Sequence, residues 1–235
     1  MLFCQADEHA ALRISIDCLA QQSYTAQQIV VMGPAHMQPA ATGAHFIAVS
    51  EPGPHSLNHW LDSQPEADWI VLLRAGDRLH PHALVIMAER MALRGESLCL
   101  YFDEGAHDNL APSSPVFKPD FNLDLMRSLP YVGRVLAFSV DASRTLGGFA
   151  PEFSSLAAHD LLWRMVEAHG LQVVEHIAQV LVQCQFSYAD WLAAADGEQQ
   201  ALRVLQAHLQ RLGVSARVSA DEGGLLTRVT YEHPQ

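Results

Sequence analysis

Short apolar segments alternate with amphipathic segments along most of this chain, and this alternation is what most limits its fold. Candidate strands lie at residues 2–4, 29–32, 45–49, 69–73, 97–102, 135–139 and 171–176. Candidate helices lie between them, at residues 8–21, 56–63, 83–93, 141–145 and 159–169. Strands that alternate with helices form βαβ units, in which helices cover a mostly parallel sheet. The pattern therefore predicts an α/β, Rossmann-like fold with a mostly parallel sheet flanked by helices.

The end of the chain follows a different order. A candidate helix at residues 197–212 is followed by two candidate strands, at residues 214–218 and 225–231. Consecutive strands joined by a short connection form a hairpin. We therefore expect residues 1–190 to form the α/β domain and residues 191–235 to form a small helix-plus-hairpin appendage.

Composition excludes some classes of partner. The chain has 235 residues, of which 49% are hydrophobic and 17% are charged, as in a globular protein. Its formal net charge of -12 argues against nucleic acid or an anionic membrane surface as a partner, because both would repel it. A phosphorylated ligand is still compatible, since a bound divalent cation reverses the local charge.

The cysteines and the N-terminus indicate a cytoplasmic protein. The four cysteines are far apart and form no C-x-x-C pair, which argues against a disulfide framework or a structural zinc site. Residues 1–10 lack the basic and apolar regions of a signal peptide. No apolar run approaches the length of about 18 residues that a membrane span needs.

Acidic residues follow two neighbouring candidate strands. Asp77 comes after residues 69–73, and Asp103, Glu104 and Asp108 come after residues 97–102. Ligands of open α/β sheets bind beyond the carboxyl ends of the strands, where a carboxylate can hold a metal ion on a diphosphate. The alternatives are that Asp77 caps the turn before the next helix and that the other three form a solvated acidic loop.

Three further positions are candidates for chemistry. Lys118 is the one lysine among fourteen cationic residues, which suggests that its site requires it. Gly148 belongs to a glycine pair whose turn allows backbone to approach a ligand, although a plain turn explains it equally well. Asp160 is either a general base or, because it lies four residues before Arg164, half of a helical ion pair.

Several motifs together resemble one family. L-L-R-A-G-D-R-L-H-P-H-A-L resembles the segment L-D-A-D-D-x-L-x-P-x-A-L of the family-2 glycosyltransferases, which have the GT-A fold. Y-F-D-E-x-x-x-D with F-K-P-D-F-N-L-D-L is similar to rhamnosyltransferase-like, O-antigen-type members. L-G-G-F-x-x-x-F with D-L-x-x-R resembles the acceptor-side segment that carries the catalytic base.

The resemblance implies a metal-assisted inverting transfer of sugar from a nucleotide-diphosphate sugar to a hydroxyl acceptor on a glycan or protein. It also implies a Mg or Mn ion held by Asp77. Asp103, Glu104 and Asp108 would line the cleft, with Lys118 nearby and Gly148 close to the ligand. Asp160, or an acid of residues 103–108, would be the base.

The chain departs from the family at several functional positions. The pair that contacts the nucleotide base falls on Met32 and Gly33, and two aspartates of the metal segment fall on Arg74 and Gly76. Arg74 is then a candidate to replace the metal with a fixed cation. The usual base falls on Ala158, and a late histidine that helps at the diphosphate falls on Gln183.

Three hypotheses follow from these similarities and departures. The first is an active glycosyltransferase with a divergent site, and the second is a degenerate module that binds a glycan or a partner catalytic domain. The third is another DxD-type α/β enzyme, such as a nucleotidyltransferase, and the lack of an N-terminal glycine-rich, basic phosphate loop argues against it. In tandem members of the family, a helix and hairpin like residues 197–231 lead into a second glycosyltransferase module, which implies such a module as a partner.

Overall fold

The structure, a computed structural model, describes residues 1–63, 66–108, 111–112, 115–193, 197–221 and 226–232. Its strands are β1 (Leu2–Phe3), β2 (Val30–Gly33), β3 (His45–Ala48), β4 (Trp69–Val71), β5 (Leu73–Arg74), β6 (Arg78–Leu79), β7 (Cys99–Asp108), β8 (Ala111–Pro112), β9 (Ala137–Ser139), β10 (Val174–Cys184), β11 (Ala216–Ala220) and β12 (Thr227–Tyr231). Its α-helices are α1 (His9–Ala20), α2 (Pro54–Ser63), α3 (Ala83–Leu93), α4 (Leu123–Ser128), α5 (Val140–Thr145), α6 (Ala157–His169), α7 (Tyr188–Ala193) and α8 (Gly197–Arg211).

Two sheets share one stretch of chain. The first sheet has the order β3-β2-β1-β5, with all its pairs parallel. The second has the order β4-β9-β7-β10-β6 and mixes parallel and antiparallel pairs. The stretch from Trp69 to Arg74 gives β4 to the second sheet and β5 to the first. The predicted α/β fold with a parallel sheet, flanking helices and a C-terminal hairpin is confirmed.

The helices begin where local chemistry favours them. Helix α1 buries Leu12, Ile16 and Leu19, the residues whose spacing predicts it. Helix α2 starts at Pro54, because proline fits the first turn of a helix, where no backbone N–H is needed. Helix α4 was not predicted, since it lies in a proline-rich segment. The Asn122 side chain caps it by accepting the N–H of Leu125 at 2.8 Å.

Two strands are longer or later than predicted. Strand β7 continues from the predicted residues 97–102 to Asp108, and β10 begins at Val174 after a short 3₁₀ helix and continues to Cys184. The two strands pair in parallel from Val174 opposite Cys99 to Cys184 opposite Ala106. Each strand supplies the backbone partners that let the other extend, which local sequence patterns do not reveal.

Helix α8 packs against the rest of the fold. Its buried residues include Val204, Leu205 and Leu209, and the His208 ring stacks on the Trp163 ring of α6 with centroids 3.9 Å apart. Trp163 is therefore a core residue. The division of the chain at residue 190 stays a prediction.

All four cysteines are free thiols. Within the described ranges, no helix has both the length and the apolar character that crossing a membrane requires.

Candidate functional site

A cavity of about 290 Å³ lies at the carboxyl ends of β1 and β5. Its wall is completed by the first turn of α2, the segment that leads into α6, and the start of α6 itself. The charged side chains in the wall are Arg74 and Arg134, and no carboxylate belongs to the wall that the described residues form. We call this cavity the arginine pocket. Its position is the one that open α/β sheets use for ligands.

Asp77 lies beside this pocket, but its carboxylate is fully engaged. Arg134 donates to both oxygens, at 2.6 Å and 2.5 Å, and the backbone N–H groups of Arg74 and Gln185 donate one hydrogen bond to each, at 2.8 Å and 2.9 Å. The Asp77 side chain has no exposed surface. A carboxylate accepts about four hydrogen bonds, so no lone pair is left for a metal ion.

The Arg134–Asp77 pair is held together by charge. Burial lowers the pKa of Arg134, but the negative charge and the hydrogen bonds of Asp77 outweigh it and raise that pKa above its ordinary value. Arg134 therefore stays charged and is neutralised by Asp77. Arg134 lines the pocket, and its paired guanidinium contributes little net positive charge there.

Arg74 has no such acidic partner among the residues that the structure describes. Its side chain is half-buried in the pocket wall, and its guanidinium lies 5.8 Å from the centre of the Phe186 ring. Among the described residues, no ion pair to Arg74 is found within 4.0 Å. Of the two arginines in the wall, Arg74 supplies the uncompensated positive charge.

Two acids of β7, Asp103 and Glu104, lie inside the protein rather than in the pocket wall. Glu104 pairs with the Lys118 ammonium at 2.7 Å, and that ammonium also donates to the carbonyl of Val132 at 2.8 Å. The exposed fractions of the Lys118 and Glu104 side chains are 2% and 5%. The sole lysine is thus used to neutralise one buried acid.

Asp103 belongs to a second buried arrangement. One of its oxygens accepts the N–H of Lys118 at 2.9 Å and lies 3.0 Å from Nε2 of His176. His176 places Nδ1 3.1 Å from the exposed carboxylate of Asp120 and stacks on Tyr101. No motif in the sequence pointed to His176. The side chain of Asp108 lies outside the described part of the structure.

Both carboxylate oxygens of Asp160 also accept hydrogen bonds from arginines. Arg164 donates to one oxygen at 2.8 Å and Arg211 of α8 donates to the other at 2.9 Å, and the Asp160 side chain is 1% exposed. The ion-pair alternative describes this geometry, and a free general base does not. A base needs an accessible lone pair near the acceptor hydroxyl.

Gly148 is shaped by protein contacts. Its φ is 72°, and Arg164 donates to its carbonyl at 2.6 Å. A Cβ at this position would meet Oδ1 of Asn58 at 2.4 Å. Asn58 exchanges two hydrogen bonds of 2.8 Å with the backbone of Phe149, whose side chain lines the pocket. The glycine therefore allows Asn58 to fix this turn.

Two residues of the pocket wall stand out. Ala158 lies in the wall, at the position where the family resemblance puts the catalytic base. Ser154, also in the wall, has φ 43° and ψ -113°, which is strained for a residue with a Cβ. Backbone strain of this kind collects at functional sites.

Next to Ala158, His159 is buried without satisfied ring nitrogens. Neither nitrogen makes a well-formed hydrogen bond to the described residues, and the ring stacks on Trp191 with centroids 5.4 Å apart. Burial, together with the charge of Lys118, lowers the pKa of His159 to about 4. The histidine is neutral at pH 7. Nothing in the sequence pattern distinguished it from a surface residue.

The predicted metal site does not fit the donor set. The Asp77 oxygens are occupied, and the described residues contain no group of three or more His, Cys, Asp or Glu side chains arranged to hold a metal ion. Divalent cations such as Mg²⁺ need accessible oxygen ligands.

Sequence comparison connects the chain to much longer proteins. No family model matches it. It is 34% identical over 158 residues to the O-antigen biosynthesis protein RfbC of Myxococcus xanthus, a match that covers 65% of this chain and 12% of that protein. It is 30% identical over 117 residues to the uncharacterized protein y4gI of Sinorhizobium fredii, covering 48% of this chain and again 12% of the relative. The matched part is thus a small fraction of each relative.

Structural comparison gives the fold. The S. aureus TarS structure in complex with UDP-GlcNAc matches with a TM-score of 0.61 at 10% identity, covering 88% of this chain and 65% of that one. Glucosyl-3-phosphoglycerate synthase from Mycobacterium tuberculosis, in complex with Mn²⁺, UDP and glucosyl-3-phosphoglycerate, matches with a TM-score of 0.59 at 13% identity, covering 98% of this chain and 86% of that one. The chain therefore has a GT-A-like glycosyltransferase fold, and part of its sequence is similar to an O-antigen biosynthesis protein.

Proposed function

We propose that the chain is a glycosyltransferase-fold module of polysaccharide biosynthesis that binds a nucleotide-diphosphate sugar in the arginine pocket without transferring the sugar. The fold and the similarity to an O-antigen biosynthesis protein support the ligand class. We also propose that the protein is located in the cytoplasm and that it functions together with a catalytic glycosyltransferase module.

One observation supports the absence of sugar transfer. Each candidate carboxylate whose side chain the structure describes is buried and already paired with other protein groups. Asp77 forms an ion pair with Arg134, and Glu104 forms one with Lys118. Asp103 contacts His176 and accepts the N–H of Lys118, and Asp160 pairs with two arginines. Direct displacement at the anomeric carbon needs a base that removes the proton of the acceptor hydroxyl. The wall of the arginine pocket offers none among the described residues.

The pocket suits an anionic ligand. Arg74 supplies a planar guanidinium, which binds phosphate through parallel N–H donors. The first turn of α2 lines the same space, and a helix N-terminus favours negative charge. Because the residues do not fit a divalent cation, the proposal includes no metal-dependent step.

Active transfer is the second candidate. The strained backbone of Ser154 in the pocket wall favours it, because such strain is retained where it serves a function. An active enzyme would have to find its base outside the four closed carboxylates.

Calorimetric titration of a panel of UDP-, dTDP- and GDP-sugars, followed by assays of donor hydrolysis and transfer, tests the proposal. We expect binding of at least one donor and turnover of none. Absence of binding by every donor would overturn the proposal. Turnover would establish the second candidate instead.

A matched pair of variants locates the binding site. Ala158→Phe places a large ring in the pocket wall and should block donor binding. Ala168→Phe makes the same change on the exposed face of the same helix, α6, and should leave binding unchanged. Equal affinities for the two variants would place the ligand outside the arginine pocket.

A further inference from the structure

We propose that Arg74 holds the diphosphate of the ligand directly, so that binding is independent of a metal ion. This inference rests on the proposed function and adds the residue and the chemistry that recognise the anion. It follows from three features: the charge left over in the pocket, the saturation of Asp77, and the space around Gly76.

The positive charge of the pocket comes from Arg74. Arg134 is 9% exposed and already neutralised by its two hydrogen bonds to Asp77. The Arg74 guanidinium lies over the Phe186 ring, and among the described residues no acceptor for its N–H donors is found. Its own backbone N–H is bonded to Asp77, which fixes the point where the side chain leaves β5.

Asp77 acts on this site through its hydrogen bonds and not as a metal ligand. Its two oxygens receive four hydrogen bonds, two from the Arg134 guanidinium and two from backbone N–H groups. A metal ion would have to displace one of these donors from a side chain with no exposed surface. Breaking a buried, bidentate Arg–carboxylate pair is costly, so the pair excludes the ion.

A second carboxylate has no room beside Asp77. Gly76 has φ 94°, a conformation that side chains rarely adopt. A Cβ there would lie 2.1 Å from Oε1 and 2.9 Å from Cβ of Gln185. The backbone and Gln185 therefore keep this position free of acid, and the strand end carries the Arg74 cation in place of a carboxylate pair with its metal.

The test is calorimetric titration with UDP and with inorganic pyrophosphate, in EDTA and in Mn²⁺. We expect the same affinity in both conditions. Arg74→Ala should weaken binding on the order of tenfold to hundredfold, because the charge-assisted hydrogen bonds to the diphosphate are lost. Arg74→Lys keeps the charge but loses the planar fork and should fall between the two.

Arg217→Ala is the matched control, because it removes the same charge from β11, where the Arg217 side chain is 80% exposed. It should leave affinity unchanged. Circular dichroism checks that Arg74→Ala is folded, as expected for a side chain that forms no ion pair with the described part of the chain. Raised salt should weaken binding, because part of Arg74 is exposed to solvent.

The outcomes separate this inference from the proposed function. UDP binding that is lost in EDTA, or that Arg74→Ala leaves unchanged, overturns the role of Arg74 and leaves the proposed function standing. No binding of UDP, pyrophosphate or the nucleotide sugars under any condition overturns both.

Discussion

At the scale of single residues, the partners of an acid determine its role. Asp77 and Asp160 are each positioned in the chain as chemistry-bearing residues, yet each accepts hydrogen bonds from arginines far away in sequence. Arg134 lies 57 positions from Asp77, and Arg211 lies 51 positions from Asp160. Both carboxylates are at most 1% exposed, so they contribute to stability and have no access to a substrate.

Replacing Arg134 tests this structural role. Arg134→Ala leaves Asp77 charged, buried and short of two hydrogen bonds, so the free energy of unfolding should fall by about 3–5 kcal/mol. Urea denaturation followed by circular dichroism measures the loss. Arg13→Ala breaks an exposed Arg–Asp pair, with side chains 47% and 48% exposed, and should cost less than about 1 kcal/mol. Equal losses for the two variants would contradict the assignment.

His159 makes stability depend on pH. Its pKa is about 4 in the folded chain against 6.5 for an ordinary histidine. Between these values the unfolded chain binds a proton that the native chain does not, so stability is lost as pH falls from 6.5 to 4. The lowered pKa corresponds to roughly 3 kcal/mol, with burial as the main cause and Lys118 as the charged neighbour that adds to it.

His159→Phe should remove this component while keeping an aromatic ring against Trp191. Urea midpoints at pH 7 and pH 4.5 for both proteins isolate it, because the other titrating groups are common to the two. We expect the midpoint of the wild-type protein to fall more over this interval. Parallel pH profiles would mean that His159 is already hydrogen-bonded, for example to internal water, and titrates normally.

At the scale of elements, one acid connects two helices and a turn. Asp160 of α6 pairs with Arg211 of α8 and with Arg164, and Arg164 also donates to the carbonyls of Leu146 and Gly148. The turn that ends at Phe149 is fixed from its other side by Asn58. The helix-plus-hairpin end of the chain thereby supports one wall of the arginine pocket.

Asp160→Asn should loosen this connection. The uncharged amide weakens both arginine contacts, and we expect a loss of about 1–3 kcal/mol of unfolding free energy, with Arg211 discounted because it is 32% exposed. Hydrogen exchange at residues 146–149 should accelerate. Asp141→Asn, in an ion pair whose acid is 87% exposed, is the control and should change neither measurement. If the wild-type protein transfers sugar after all, unchanged stability together with lost turnover in Asp160→Asn would make Asp160 a base.

At the scale of the whole molecule, alternating hydrophobic segments predicted the fold well. The α/β class, the parallel sheet and the C-terminal hairpin could be predicted because burial of apolar faces repeats along the chain. The extension of β7 and β10, and the unpredicted α4, depend on pairing and capping partners that a local window does not contain.

The candidate site was predictable only in part. The strand-end position of Arg74 and the placement of Ala158 followed from motif spacing, and both line the pocket. Motif spacing did not predict that the acids are buried and paired, because Arg134, Arg211 and His176 contact them only in the folded structure. The spacing of motifs in the sequence indicates which residues share an edge of the sheet. The protonation and ion pairing of their side chains depend on the whole packed core.

The conformation of Gly76 also determines the order in which substitutions could place an acidic pair at the end of β5. A designer who wants an acidic pair at the end of β5 faces two separate barriers at residue 76, its φ of 94° and the Gln185 side chain that fills the space of a Cβ. An aspartate introduced at 76 alone encounters both barriers at once. If Gln185 is first replaced by glycine, which removes the Cβ at 2.9 Å as well, only the backbone barrier remains. Substitutions at residues 76 and 185 are therefore epistatic, and the first step toward an acidic pair lies at a residue outside that pair.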